Sequence, residues 1–162
     1  MADTANSPEA ARRAALLLLG RRDFASFELR EKLLAKGHST ELVEATLVAL
    51  QKERLLDDAR YLDNFVRVHT GRGQGPARIR QELRQLGFGP AAIEAALEAG
   101  PDFVALCREV RVRKFGARPP GSWAEKGKQA RFLQYRGFSS DHIRLALGQD
   151  PDSLENPADD YD

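Results

Sequence analysis

The chain has 162 residues, 42% hydrophobic and 30% charged, with 25 Lys and Arg against 24 Asp and Glu. That supports a buried core and excludes a disordered chain, and no apolar run approaches the roughly 18 residues of a membrane span. The net charge of +1 hides an asymmetry: Asp150 to Asp162 holds six acidic residues and no Lys or Arg, which leaves 25 basic against 18 acidic residues elsewhere. Fifteen basic and seven acidic residues lie between Arg60 and Arg136. A cluster of this size suits a polyanionic partner or an acidic protein groove. The single cysteine, Cys107, stands in Ala105-Leu106-Cys107 and reads as a small core hydrophobe in a reducing cytoplasm. Ala14 to Leu19 is apolar but short, and no export-type cleavage region follows it.

In chain order, residues 1–8 form a small-residue leader. Ser7-Pro8 opens a helix that runs through Ala and Leu to Leu19, where Gly20 stops it. Ser26 is expected to cap a second helix with Leu29, Leu33 and Leu34 on its apolar stripe, ending at Gly37 in the left-handed conformation. Ser39 caps a third, with Leu42, Val43, Thr46, Leu47 and Leu50 inward. One of Asp57 and Asp58 caps the next helix, which carries Tyr61, Leu62, Phe65 and Val66; no further ligands stand near this pair to make it a metal site. Gly71 to Pro76 reads as a flexible connection into a helix over 77–86, and it lacks the Lys-Ser/Thr of a phosphate loop. Pro90 opens the following helix and Gly100-Pro101 closes it. Helices over 102–115, 123–136 and 140–147 follow, the first two separated by a Pro- and Gly-bearing turn. Trp123, after that turn, either packs within its own unit or anchors an interface. No run alternates with the period of two expected of a strand.

The elements repeat. Gly37, Gly87 and Gly137 are fifty residues apart, each preceded at four residues by Leu33, Leu83 or Leu133. Each is followed at six residues by Val43, Ile93 or Ile143, and at ten by Leu47, Leu97 or Leu147. The fold class is therefore all-α, a tandem array of three three-helix, helix-turn-helix-like repeats in a curved, elongated molecule. The boundaries are a mobile leader at 1–8, repeats at 9–55, 56–100 and 101–148, and an acidic tail at 149–162. The tail reads as a disordered solvating segment, with a covering role over the basic face as the sharper alternative.

Nothing in the sequence offers a catalytic set. His38, His69 and His142 are scattered without zinc-ligand spacing, and no serine sits in a nucleophile elbow. The basic residues carry more information. On the middle helix of the second repeat, Arg80 and Arg84 share an outward face with Arg78 beside them. Arg111, Arg113 and Lys114 follow on the first helix of the third repeat, then Lys126, Lys128 and Arg131 on its middle helix. The last helix of the first two repeats carries acid instead, Glu41 and Glu44, then Glu94 and Glu98. A base-reading helix-turn-helix puts that helix in the major groove and needs donors there, so operator recognition is disfavoured.

Three stretches together resemble the RecX regulatory proteins of bacteria. They are Glu28 to Gly37 (ELREKLLAKG), Leu55 to Tyr61 (LLDDARY), and Gly75 to Ile79 (GPARI) with Leu83 and Gly87 after it. The resemblance runs from about Ala11 to Gly148, and it is weaker in the third repeat, where Gln129 and Ala130 replace Ile79 and Arg80. It implies a non-enzymatic regulator that binds the RecA nucleoprotein filament on DNA and suppresses its ATPase, strand exchange and coprotease activities. On this reading Arg78, Arg80, Arg84, Arg111, Arg113, Lys114, Lys126, Lys128 and Arg131 form the face that meets acidic RecA surface or phosphate. No cofactor, metal or membrane is expected. The alternative is a nucleic-acid-binding helical module that works without RecA. The chain is expected as a monomer or a domain-swapped homodimer, exchanged through the 71–75 connection.

Overall fold

A computed structural model describes residues 6–148. Among them are nine α-helices and no strand: α1 (Pro8–Leu19), α2 (Ser26–Ala35), α3 (Thr40–Lys52), α4 (Asp58–Gly71), α5 (Pro76–Gln85), α6 (Pro90–Glu98), α7 (Phe103–Phe115), α8 (Trp123–Tyr135) and α9 (Ser140–Ala146). The acidic tail of the sequence lies outside the described residues.

The recurring glycine ends the middle helix of each triplet by one hydrogen-bonding device. Gly37, Gly87 and Gly137 have φ of +93°, +84° and +100°. In the first turn, the Gly37 N–H donates to the Leu34 carbonyl and the His38 N–H reaches back to Leu33. The same two bonds recur from Gly87 and Phe88 to Arg84 and Leu83, and from Gly137 and Phe138 to Gln134 and Leu133. This crossed pair satisfies carbonyls that a helix end otherwise leaves bare, and it needs a left-handed residue that glycine supplies without a Cβ clash. The leucine four residues before each glycine receives the longer bond through its carbonyl. Its side chain is fully buried in all three copies, at Leu33, Leu83 and Leu133. The positions six residues after the glycine, Val43, Ile93 and Ile143, are buried as well.

By contacts the described residues divide into two compact units, 6–65 with 82–96, and 66–81 with 97–148. The helices α4 and α5 each contribute to both. In the first unit α1, α2 and α3 pack mutually around Ala15, Leu18, Phe24, Leu29, Leu33, Val43, Leu47, Leu50 and Leu56. Each buried Leu or Val side chain contributes about 1.5–3 kcal/mol relative to exposure. In the second, α7, α8 and α9 pack around Cys107, Val110, Leu133, Phe138, Ile143 and Ala146.

Each unit contains one further contact, and the two correspond at the fifty-residue period. A Cβ added to Gly87 would fall 2.4 Å from the Phe27 ring, so this turn lies flat against the second residue of α2. In the second unit the Gly137 turn lies against the start of α5, where a Cβ on Gly137 would stand 2.6 Å from that of Arg78. The Gly75 N–H donates to the Arg136 carbonyl at 2.8 Å and the Ala77 N–H to Gly137 at 2.9 Å. A Cβ on Gly75 would come within 2.4 Å of the Gly137 carbonyl carbon. The expectation of a flexible 71–75 connection is corrected here: Gly73, Gly75 and Pro76 are buried. The missing side chains of Gly73 and Gly75 serve close packing.

The aspartate pair caps two helices. Asp57 Oδ1 accepts from the Arg60 N–H at the start of α4, as the sequence led us to expect of one member. Asp58 instead accepts the Ser26 N–H at 2.8 Å and so caps α2 from thirty-two residues away. Ser26 is therefore not the cap of α2. The capping position is Ala25, which offers no side-chain acceptor, and the Ser26 hydroxyl accepts from Gln51. The caps expected at Ser7 and Ser39 are present, accepting from the Ala10 and Leu42 N–H groups.

The turn glycines therefore separate backbone strain from packing. Gly37→Ala meets no atom within 4 Å and carries only the left-handed strain, about 1 kcal/mol. Gly137→Ala carries the same strain plus overpacking against Arg78, a further ~1–3 kcal/mol. Urea unfolding of the two variants should rank them in that order.

Candidate basic interface

The cations of the sequence cluster divide by environment. On α5, Arg78 and Arg80 are half-buried and Arg84 is exposed. Arg84 belongs to the first compact unit, whereas Arg78 and Arg80 belong to the second with the remaining candidates. On α7, Arg113 and Lys114 are exposed, and Arg113 pairs with Glu109 one turn back at 2.8 Å. That pair is open to water on both sides and so contributes little to stability. On α8, Lys128 and Arg131 are exposed and Lys126 is half-buried, with its ammonium 5.6 Å from the Trp123 ring centre.

Arg111 differs from the rest. Only 7% of it is exposed, so it does not belong to an outward face. Its guanidinium reaches the Arg118 carbonyl, Gln129 Oε1 and the Ala117 carbonyl at 3.3–3.5 Å, and thereby ties the α7–α8 connection to both helices. The sequence carried a signal for this. Arg111 follows Cys107 by four residues and Val110 by one, on the stripe that Phe103 begins. Trp123 departs from the packed alternative in the opposite sense: it is the first residue of α8 and 75% exposed.

Two cations outside the candidate list share a depression with two inside it. Arg72, Arg113, Lys114 and Arg136 line it with Gly73, Val110 and Phe132, and no carboxylate is among the lining residues. Phe132 organises the group: Lys114 Nζ stands 5.5 Å and Arg136 Cζ 5.3 Å from its ring centre, and Phe115 meets it edge-on. Arg136 Nη1 also donates to the Arg72 carbonyl at 3.1 Å. The last turns of α7 and α8 end here, so part of this charge complements their carbonyl termini. With Arg113 offset by Glu109, the three remaining charges still exceed what two half-charges neutralise, and the depression keeps a positive surplus. Arg72 escaped sequence reading because it stands in the glycine-rich segment. Arg136 stood immediately before the repeat glycine, where it caps α8.

The acid on the last helix of the first repeat is partly committed. Glu44 accepts from Arg30 of α2, which holds its carboxyl below the ordinary range, while Glu41 is exposed. Cys107 is fully buried, and burial pushes its thiol up to about 12. His142 stacks on Phe103, and burial lowers its imidazole against the opposing pull of Asp141 and Asp102. No helix among the described residues is long and apolar enough to cross a membrane.

Family models describing the first, second and third three-helix domains of RecX match residues 11–50, 57–97 and 102–147, in that order. A protein named Regulatory protein RecX from Halorhodospira halophila is 45% identical over 159 residues, covering 97% of this chain and 99% of that protein. One of the same name from Pseudomonas putida is 44% identical over 154 residues, covering 94% and 99%. Among solved structures, a crystal structure of regulatory protein RecX superposes with a TM-score of 0.71 at 25% identity, covering 88% of this chain and 72% of that one. RecX from Lactobacillus salivarius superposes at 0.75 with 21% identity, covering 86% and 94%, a likeness of fold.

Two arginines two positions apart should respond differently to truncation. Arg111→Ala removes buried hydrogen bonds and should lower unfolding stability by about 1–3 kcal/mol. Arg113→Ala should leave the urea midpoint unchanged within error. Native Cys107 should also resist alkylation at pH 8 and react once the chain is unfolded, because its thiol is both covered and protonated.

Proposed function

The chain belongs to the RecX family, and from that premise we propose that it is a regulatory protein that binds the RecA–DNA filament. Binding holds down the ATPase, strand-exchange and coprotease activities of RecA, and so modulates homologous recombination, DNA repair and the SOS response. The observation that carries this reading is the ordered match of three RecX domains along a chain that aligns almost end to end with regulatory relatives. The repeats at 9–55, 56–100 and 101–148 are its working units. It acts in the cytoplasm by occupancy and catalyses no reaction of its own.

The cationic side chains supply the chemistry of contact. Arg78, Arg80, Arg113, Lys114, Lys126, Lys128 and Arg131 of the second unit, with Arg84 of the first, meet acidic protein surface or phosphate. Arg111 holds the frame behind them. Individually weak contacts from successive repeats add through effective concentration, because the first to bind confines the others near their targets. A filament offers the same surface many times over, which suits a chain that repeats its own architecture.

The test is RecA-catalysed ATP hydrolysis on single-stranded DNA, with this protein added well below the RecA concentration. Inhibition at a small fraction of RecA is expected. Absence of any effect at excess would overturn the reading in favour of a nucleic-acid-binding module independent of RecA. The double variant Arg80→Glu, Arg84→Glu should retain its helical circular dichroism and weaken filament binding by about tenfold. A folded double variant that inhibits like the parent would remove that helix face from the contact.

A further inference from the structure

On α8 the residues Trp123, Gly127, Arg131 and Tyr135 follow one another at intervals of four. In an α-helix that spacing makes one continuous, slowly winding row. The row points outward: Trp123 is 75% and Tyr135 79% exposed, and Arg131 between them is exposed as well. Lys128 flanks the row and Lys126 sits against the Trp123 ring. The one carboxylate of this helix, Glu125, is turned away and accepts the Gly121 N–H at 2.6 Å. The outer face therefore presents two open rings and cations, with no opposing charge from its own helix.

Two features of the row have no role in the packing of the unit. Large aromatic rings left this open at both ends of a 13-residue helix contribute nothing to the core beneath, which Leu133 and Gln129 fill from the other side. Gly127 stands in the middle of the helix, where glycine costs about 1 kcal/mol relative to alanine. The nearest group to a Cβ there would be Arg131 Nη1 at 3.3 Å, so the missing side chain lets that guanidinium lie back along the helix between the rings.

We propose that this row is a docking site for single-stranded nucleic acid, with bases stacked on Trp123 and Tyr135 and phosphates held by Arg131 and Lys128. The two residues are twelve positions apart, which places them roughly 18 Å apart along the helix axis and about 120° apart around it. At the ~3.4 Å rise of a stacked strand that distance corresponds to about five nucleotides, and to fewer in an extended one. Sequence-tolerant single-strand binding combines these elements, exposed rings for the π-faces of bases and a cationic track for the backbone. Duplex is a poor fit, because its bases are already stacked and offer the rings no face. The proposal deepens the filament reading by assigning the contact with the filament's own single strand to one helix. It is testable without RecA.

Trp123 is the sole tryptophan of the chain, so its fluorescence reports on this site alone. The full chain is titrated with a ten-residue oligothymidylate at low salt, with fluorescence anisotropy of a labelled oligonucleotide as an independent binding measure. Saturable quenching of Trp123 that tracks the anisotropy is expected. The log-log salt slope should be near −0.7 for each phosphate held. Tyr135→Ala and Arg131→Glu, whose side chains are exposed, should each weaken binding by about tenfold with circular dichroism unchanged. Binding without a change in Trp123 emission would overturn the proposal, as would no binding at all. Quenching by poly-glutamate in place of the oligonucleotide would overturn it in favour of an acidic protein partner. Oligonucleotide binding that quenches Trp123, in a chain that leaves RecA hydrolysis untouched, would uphold this site while removing the filament reading. Loss of oligonucleotide binding in Tyr135→Ala with RecA inhibition retained would uphold the oligonucleotide site and the filament reading, and would overturn the assignment of the filament's strand contact to this helix.

Discussion

Everything in this fold hangs on a backbone reversal in which two N–H groups cross back over the end of a helix to carbonyls three and five residues earlier. The reversal requires a residue at positive φ, and the chain supplies Gly37, Gly87 and Gly137. Because the longer bond lands on Leu33, Leu83 or Leu133, the turn and the deepest core side chain are coupled through one residue. The direction of each last helix and the burial of its Val or Ile follow from that reversal. In Gly87 and Gly137 the same absence of a Cβ serves a second purpose, since a neighbouring chain segment occupies the space.

The features legible in the sequence were those whose cause is local. Ser7 and Ser39 cap the helices they immediately precede, and the glycine with its leucine four residues back declares a helix end. The three-helix period was visible for the same reason. Features with a distant cause were misread. Ser26 resembles a cap, but its N–H is satisfied by Asp58, which no local pattern connects to it. The run from Gly71 to Gly75 has the composition of a loose connection, and its packing depends on the Gly137 turn sixty residues later. Glycine-rich sequence is compatible with both mobility and very close approach, and only the partner decides between them.

The candidate contact residues show the same division. Charge counting marked a cation-rich stretch, with fifteen basic against seven acidic residues between Arg60 and Arg136. It did not separate Arg111, which braces a loop, from Arg113 and Lys114, which face water. Two residues along a helix, about 200° of rotation, are enough to change an arginine from frame to surface. Nor did it find the meeting of Lys114 with Phe132 across two helices, since that cation–ring contact joins residues that sequence spacing leaves unrelated. The charged side chains of this protein thus do two kinds of work, and only burial tells them apart.

The seating of α5 on the Gly137 turn has a consequence for how the chain is made. The Gly75 and Ala77 N–H groups find their acceptors at Arg136 and Gly137, sixty residues further along. While the protein is being synthesised from its N-terminus, the beginning of α5 emerges long before those carbonyls exist. The first compact unit can close around its own core in the meantime, and the start of α5 must wait, solvated, for the third repeat to leave the ribosome. A stalled or prematurely terminated chain would therefore be whole at one end and unsealed at the other, and proteases that read unpaired backbone would find it there.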